Sequence, residues 1–263
     1  MRTIDVSTLF SLAGRVALVT GGSRGIGRMI AEGFLQAGAT VYVSSRKQSV
    51  CDQVADELSV IGPCRSLPAD VSTADGRKAL VQALESRETR LNILVNNAGT
   101  SWGEPYETFP ETGFEKVLAL NLTAPFFLTR DLTPMLTKGA DSNDPSRVIN
   151  IGSMDGIHVP QVIKTGTFSY SASKAGVHHL TRTLAVELGP RHVTVNAIAP
   201  GFFESKMTRE VLEQHGAAIA ASCPLNRIGH PEEMAGIAIY LASRAGAYTN
   251  GTVIPVDGGT LLN

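Results

Sequence analysis

The sequence predicts a three-layer α/β/α protein, in which helices cover both faces of one parallel sheet of about seven strands. Short, β-branched apolar runs alternate along the chain with longer segments of helical period, which indicates βαβ units. The runs are almost continuously apolar, as expected for strands that are buried on both faces. A glycine-rich turn joins the first strand to the first helix. Together these observations predict a doubly wound, Rossmann-like fold.

The elements follow from the positions of these runs and of the periodic segments between them. We predict strands at 15–20, 40–45, 92–97, 147–153, 193–200 and 253–256. We predict helices at 25–37, 48–60, 73–88, 112–137, 169–189 and 231–242. The long irregular segments 154–168 and 201–230 each follow the carboxyl end of a strand, where open α/β sheets bind their ligands.

Length and charge limit the classes of protein. A chain of 263 residues fits one domain, 1–263, and we expect the segment at about 201–230 to form a lid over the substrate. The formal net charge of −1 argues against a nucleic-acid-binding protein. Hydrophobic residues make up 43% and charged residues 18%, a balance that supports a folded core rather than disorder.

Cysteine usage and hydropathy predict the compartment. The three cysteines, Cys51, Cys64 and Cys223, are an odd number without CxxC spacing, which favours neither a disulfide framework nor a zinc site. No run of about 18 apolar residues is present. We therefore expect a cytoplasmic protein that has no membrane segment and needs no metal.

The glycine-rich turn is the segment TGGSRGIG at 20–27. A side chain at Gly21, Gly25 or Gly27 would hold the backbone away from a pyrophosphate, and the helix that follows offers free N–H groups and the positive end of its dipole. This arrangement predicts a dinucleotide site. The alternative is a tight strand-to-helix turn whose glycines serve packing alone.

The end of the second strand indicates which dinucleotide is bound. A carboxylate at this position usually accepts hydrogen bonds from the ribose of NAD, whereas a 2′-phosphate needs cations. The chain has Ser45, Arg46 and Lys47 there, and Arg24 lies within the glycine turn. This pattern favours NADP(H). The alternative is a pair of solvated arginines on surface loops.

Tyr170 and Lys174 are four residues apart, so on a helix they lie on one face. A cation beside a phenol favours the phenolate, and we expect it to lower the pKa of Tyr170 from about 10. Ser153, at the end of a strand, is placed to donate a hydrogen bond to a substrate oxygen. These residue types predict acid–base chemistry on an alcohol or ketone. An ordinary amphipathic surface pair is the alternative.

Asn121 lies inside the predicted helix 112–137, four residues before Pro125. Because proline has no N–H, the carbonyl of Asn121 cannot receive its usual helical hydrogen bond. We interpret the free carbonyl as a site for a water in a proton relay. A plain proline kink is the alternative interpretation.

Seven ordered motifs carry a family resemblance. They are TGGSRGIG (20–27), Ala-Asp-Val (69–71), NNAG (96–99), Asn121, Ser153, YSASK (170–174) and Pro-Gly (200–201). From about residue 12 to 262, the chain resembles the short-chain dehydrogenase/reductase family, and it looks closest to the 3-oxoacyl-thioester (acyl-carrier-protein) reductases of the rhamnolipid-biosynthesis type.

The resemblance implies roles for individual residues. It implies that Asn121, Ser153, Tyr170 and Lys174 are catalytic and that a water links Asn121 to Lys174. It also implies contacts with NADP(H) at Gly21, Ser23, Arg24, Gly25, Ile26, Gly27, Ser45, Arg46, Asp70, Val71, Asn97, Ala98, Gly99, Tyr170, Lys174, Pro200, Gly201, Phe203 and Ser205. Asn96 and Asn97 can equally be turn residues that fix the strand end.

The resemblance further implies a homotetramer, or a homodimer, that uses helices 112–137 and 169–189. The segment from Ser153 to Tyr170 is a few residues longer than is usual in the family, which leaves the pocket less defined than the catalytic residues. We expect apolar residues of the lid and of the loop 154–168 to line that pocket: Phe202, Phe203, Met207, Val211, Leu212, Ile219, Leu225, Ile157, Val159, Val162, Ile163 and Phe168.

These inferences predict an NADPH-dependent reductase that converts a ketone to a secondary alcohol, with a 3-oxoacyl thioester or a similar apolar β-dicarbonyl compound as substrate. An NAD-dependent secondary-alcohol dehydrogenase is one alternative. A dinucleotide-binding redox sensor without turnover is a second, from a different class. We interpret His178 and His179, which are adjacent on a helix and point in different directions, as a solvated or interface pair rather than metal ligands.

Overall fold

One sheet of seven parallel strands organises the part of the chain that the computed structural model describes, residues 5–160, 165–205 and 208–262. The strands are β1 Val16–Thr20, β2 Thr40–Ser44, β3 Cys64–Ser66, β4 Ile93–Asn96, β5 Ser146–Ile151, β6 Val193–Pro200 and β7 Val253–Val256. Their order across the sheet is β3-β2-β1-β4-β5-β6-β7, and all neighbouring pairs are parallel. The predicted doubly wound sheet is confirmed.

Helices cover the two faces of this sheet. They are α1 Val6–Leu9, α2 Gly25–Gln36, α3 Gln48–Leu58, α4 Ala74–Glu85, α5 Glu111–Leu118, α6 Ala124–Thr137, α7 Phe168–Leu188, α8 Arg209–Ser222 and α9 Pro231–Ala242. Apolar residues of α2, α3 and α9 bury one face, and those of α4, α6 and α7 bury the other. This gives the three predicted layers.

The strand order reverses between β1 and β4, which lie side by side. The connections that follow these two strands run to opposite faces of the sheet, so a crevice opens at the carboxyl ends of the strands. The glycine turn follows β1, and residues 97–100 follow β4. The fold therefore brings the two segments predicted to bind a dinucleotide to one edge of the sheet.

Two elements differ from the sequence prediction. Strand β3 is missing from the predicted set because its three residues, Cys64, Arg65 and Ser66, lie at the sheet edge and lack the apolar run that identifies buried strands. Helix α8 lies in a segment predicted to be irregular. None of its residues is buried, so its sequence has little of the apolar period on which helix prediction depends.

The predicted helix 112–137 is interrupted as Pro125 requires. Helices α5 and α6 are joined by a π-helical turn, Ala119–Thr123, in which the backbone N–H of Ala124 donates to the carbonyl of Ala119. The wider turn accommodates the missing N–H of Pro125. Asn121 lies in the middle of this turn and is buried.

Three residues that we expect to line the substrate pocket lie outside the described residues: Val162, Ile163 and Met207.

In the described ranges, no helix combines the length and the apolar character needed to cross a membrane.

Candidate active site

Ser153 lies two residues beyond the carboxyl end of β5 and is buried. Its backbone is extended, and its Oγ accepts a hydrogen bond from the backbone N–H of Asp155 at 3.1 Å. This bond caps the short 3-10 turn Met154–Gly156. The turn directs the chain away from the sheet and leaves the serine side chain at the strand end.

Tyr170 and Lys174 project from the first turns of α7 toward this serine. A hydrogen bond links the Ser153 and Tyr170 side chains. The Lys174 Nζ donates to the carbonyl of Ile151, the last residue of β5, at 2.7 Å and lies 5.5 Å from the centre of the Tyr170 ring. The structure therefore brings three of the four predicted catalytic side chains together.

Burial controls the ionisation of this group. It raises the pKa of Tyr170 to about 12, with the hydrogen bond of Ser153 acting in the opposite direction and the charge of Asp155 adding to the increase. Burial lowers the pKa of Lys174 to about 8. The expected decrease in the pKa of Tyr170 is not found in this arrangement, because loss of hydration raises it.

Asn121 joins the group through its side chain. Its Oδ1 accepts from the backbone N–H of Thr100, and its Nδ2 donates to the Thr100 carbonyl, both at 2.9 Å. The same Nδ2 donates at 3.0 Å to Ser173 Oγ, which itself donates to the carbonyl of Tyr170. Asn121 thus ties the loop after β4 to the helix that carries Tyr170 and Lys174.

The glycine turn fits a dinucleotide. Gly21 and Gly25 have positive φ angles of 64° and 52°, and a Cβ at Gly21 would lie 2.8 Å from Asn97 Nδ2. Asn97 Nδ2 donates to the carbonyls of Thr20 and Gly21, so the turn and the loop after β4 are held in contact. Helix α2 begins at Gly25 without a side-chain cap, which leaves its N–H groups available to phosphate.

The other residues of this turn have distinct surroundings. Gly27 is buried against Gly21 and the Asn97 side chain, where a Cβ has no room. Ile26 packs against the hydrophobic core, and Ser23 is half-buried. Gly99 brings the loop after β4 beside the catalytic group, since a Cβ there would lie 3.4 Å from Asn121 Oδ1 and 3.7 Å from Lys174 Nζ.

Ser45 directly follows β2 and precedes Arg46 in the sequence. Its Oγ is buried and has no hydrogen-bond partner, and its carbonyl accepts from the N–H of Ala69. Arg46 and Arg24 are exposed, and neither takes part in an ion pair among the described residues. An unsatisfied hydroxyl next to an exposed arginine in the sequence fits a ribose that carries a 2′-phosphate.

Asp70 and Val71 follow β3 at the same edge. Asp70 Oδ1 accepts from the backbone and side chain of Ser72, and the Val71 carbonyl accepts from the buried Arg77 at 2.9 Å. Val71 belongs to the hydrophobic core. These bonds fix the backbone of the pair, directly after Ala69, whose N–H donates to the Ser45 carbonyl.

The segment after β6 approaches the glycine turn. Gly201 donates to the Val256 carbonyl, and its Cα lies so near Asp257 that a Cβ would come within 2.8 Å of the Asp257 Cα. Ser205 faces Gly25, where a Cβ would lie 3.0 Å from the serine Cβ. The ring of Phe203, by contrast, is buried against Gly229. A cofactor contact at Phe203 would therefore have to use its backbone.

Comparisons with known proteins agree with this geometry. The family described as "Enoyl-(Acyl carrier protein) reductase" matches residues 21–260. The rhamnolipids biosynthesis 3-oxoacyl-[acyl-carrier-protein] reductase of Pseudomonas aeruginosa is 51% identical over 252 residues, which is 95% of this chain and 97% of that protein. The chain belongs to the short-chain dehydrogenase/reductase family.

A solved structure and one further relative extend the comparison. The structure described as the Pseudomonas aeruginosa RhlG/NADP active-site complex is 50% identical, with a TM-score of 0.93 and coverage of 97% of this chain and 99% of that chain. The 5-keto-D-gluconate 5-reductase of Escherichia coli K12 is 33% identical over 260 residues, or 98% of this chain and 99% of that protein. Similar relatives thus act on chemically different ketones.

A cavity of about 360 Å³ lies beside the segment predicted to be a lid. Phe202, Ile219 and Leu225 of this segment line it, as does the Arg227–Glu233 ion pair. No described residue of the loop 154–168 lines this cavity. The expectation that both segments line one pocket is therefore not met at this cavity.

Aromatic residues form a separate cluster near Tyr170. The Phe168 ring packs edge-on against Tyr106 at 5.8 Å and Phe109 at 5.9 Å between ring centres. Phe168 begins the helix that carries Tyr170, so this cluster lies at the N-terminal end of that helix.

Sequence analysis missed the burial of His178. Although predicted to be solvated or at an interface, it is buried, whereas His179 is exposed. Its position four residues after Lys174, on the same face of α7, is the signal that could have revealed it. In the described residues, no three His, Cys, Asp or Glu side chains come together in a possible metal site.

Proposed function

We propose that this protein is an NADPH-dependent reductase that converts a ketone to a secondary alcohol, with a 3-oxoacyl thioester or a similar apolar β-dicarbonyl compound as substrate. The observation that carries this proposal is the group of Ser153, Tyr170 and Lys174, beside a glycine turn suited to a dinucleotide. The 51% identity to a 3-oxoacyl-[acyl-carrier-protein] reductase supports the substrate class.

In the proposed mechanism, these residues bind the carbonyl oxygen of the substrate and donate one proton to it. NADPH supplies the hydride when bound. Ser153 and Tyr170 donate hydrogen bonds to the substrate carbonyl oxygen and stabilise the charge that develops on it. The Tyr170 hydroxyl then donates its proton to that oxygen, and Lys174 stabilises the resulting phenolate through its positive charge. Asn121 fixes the position of α7 relative to the loop after β4, because its side chain is hydrogen-bonded to both.

The Tyr170 hydroxyl donates the proton in ketone reduction, and its phenolate accepts the proton in alcohol oxidation, so the group serves both directions of the reaction. The NAD-dependent dehydrogenase is the weaker alternative because Ser45, Arg46 and Lys47 stand where NAD usually meets a carboxylate. The sensor alternative is weaker still, because a protein without turnover does not need this catalytic group.

Cofactor contacts are proposed at the residues that surround the glycine turn. The α2 N-terminus holds the pyrophosphate, and Ser45, Arg24 and Arg46 hold the 2′-phosphate. The loop at 97–99 lies over the ribose, and the segment at 200–205 lies toward the nicotinamide. A cytoplasmic location fits the three cysteines, none of which forms a disulfide.

The substrate prediction is tested with purified protein and NADPH. We expect kcat/KM for 3-oxoacyl-coenzyme A thioesters to exceed that for 5-keto-D-gluconate by at least about 100-fold, since the polyol would leave its hydroxyl groups unpaired against apolar surface. The loss of NADPH absorbance as it is oxidised reports turnover. Efficient reduction of the sugar acid with no reduction of the thioesters would refute the proposed substrate.

Assembly into a homotetramer, or a homodimer, is also proposed. Phe126 on α6 is 39% exposed and Val186 on α7 is 78% exposed, so both helices retain apolar surface that the single chain leaves uncovered. We expect light scattering at micromolar concentration to report an oligomer, and Phe126→Glu to shift it toward smaller species. A monomeric native protein would contradict this prediction.

A further inference from the structure

We propose that His178 is a positioning residue that holds Ser153 in place through the backbone of the turn 152–156. This inference rests on the role proposed for Ser153 in binding the substrate oxygen. It concerns how the serine is oriented, since His178 makes its contacts with the turn that carries Ser153.

The imidazole of His178 contacts both ends of that turn. Its Nε2 faces the backbone N–H of Ser153 at 3.5 Å, a long hydrogen bond in which the N–H donates. A second hydrogen bond joins the ring to the backbone of Gly156. With Nε2 as acceptor, the ring proton lies on Nδ1, which can donate to the Gly156 carbonyl. One side chain therefore connects the residues on either side of Met154 and Asp155.

The packing around the ring explains the glycines of the turn. A Cβ at Gly152 would collide with the His178 ring, reaching 2.6 Å from its Cδ2, and a Cβ at Gly156 would lie 2.8 Å from its Cε1. The imidazole thus occupies the space that side chains at these two positions would need. Ser153 lies between them, so a shift of the ring would be transmitted directly to the serine.

The contact also satisfies a backbone group that has no strand partner. β5 ends at Ile151, and Gly152 donates to the Ile198 carbonyl at 2.7 Å, which is the last such bond to β6 before the serine. Ser153 is buried, so its N–H needs an acceptor within the protein. The His178 ring supplies that acceptor from α7, the helix that also carries Tyr170.

The ring remains neutral in this environment. Burial lowers the pKa of His178 to about 4, and the charges of Lys174 and Arg182 act in the same direction. Nε2 is therefore available as an acceptor over the neutral range in which the reductase would work. The adjacent His179 is exposed and provides a matched control.

The test compares two variants of similar polarity and different reach. In His178→Gln the side-chain amide can extend to the position of Nε2, whereas in His178→Asn it cannot. With acetoacetyl-coenzyme A and NADPH, we expect His178→Asn to lower kcat by about 10- to 100-fold, while His178→Gln retains most of it. KM for NADPH is expected to change little, the Tm of His178→Asn is expected to fall because the buried Ser153 N–H loses its acceptor, and His179→Asn is expected to behave as the native protein.

A double-mutant cycle with Ser153→Ala separates positioning from general damage. If His178 acts through Ser153, then Ser153→Ala/His178→Asn is no slower than Ser153→Ala alone. Equal losses in His178→Asn and His178→Gln, additive losses in the cycle, or native kcat in His178→Asn would each overturn the proposal. Native kcat in Ser153→Ala would instead overturn the proposed function, which distinguishes the two failures.

Discussion

Tyr170→Phe is expected to lower kcat for ketone reduction by about 10²- to 10⁴-fold, the range typical of removing a general acid. The substitution deletes the hydroxyl that donates the proton and leaves the ring between Ser153 and Lys174. Because the ring and the helix remain, NADPH should bind with nearly native affinity. Steady-state turnover and the Kd for NADPH from fluorescence titration measure the two effects separately.

Tyr248→Phe provides the matched control for this prediction. Its side chain is fully exposed, so loss of its hydroxyl should leave kcat and the Tm unchanged. Turnover of Tyr170→Phe within about threefold of the native rate would contradict the assignment of Tyr170 as the general acid. A threefold loss corresponds to a much smaller increase in the activation free energy than the loss of a proton donor causes.

Features that depend on neighbouring residues in the sequence were predictable. Six of the seven strands have apolar runs, and the glycine turn is recognisable because close backbone approach excludes side chains at Gly21 and Gly25. The loss of the helical donor to the Asn121 carbonyl followed from Pro125, since the missing N–H is a property of that one residue, whereas the π-helical turn that divides the predicted helix 112–137 was not predicted. Strand β3 and helix α8 lack such local signals, because neither buries an apolar face.

Features that depend on contacts between distant segments were not predictable in the same way. Asn97 was open to two interpretations, and its amide in fact bonds the carbonyls of Thr20 and Gly21, 77 and 76 positions away in the sequence. The side chain therefore makes the turn-fixing contacts, and its contact with the cofactor stays a prediction. The pKa of Tyr170 is raised mainly by burial, and spacing along one helix does not report burial.

Arg24 and Arg46 are expected to determine the choice of nicotinamide cofactor. Arg24 and Arg46 have no carboxylate partner among the described residues, so both are available to the 2′-phosphate that distinguishes NADPH from NADH. Each charge-assisted hydrogen bond is expected to contribute about tenfold to the ratio of kcat/KM for the two cofactors. We therefore expect a native preference for NADPH on the order of 100-fold.

Arg24→Ala/Arg46→Ala is expected to abolish this preference, mainly by raising KM for NADPH, because the variant loses attraction for the phosphate but keeps the glycine turn that both cofactors share. Each single variant should lose part of the preference. Arg191→Ala should retain the preference, because this exposed arginine lies just before β6, at the amino-terminal ends of the strands and away from the predicted cofactor site. The assignment of these arginines would fail if the double variant kept the native ratio. It would fail equally if the native enzyme used the two cofactors with equal kcat/KM, because free guanidinium groups in contact with a 2′-phosphate must favour the cofactor that carries it.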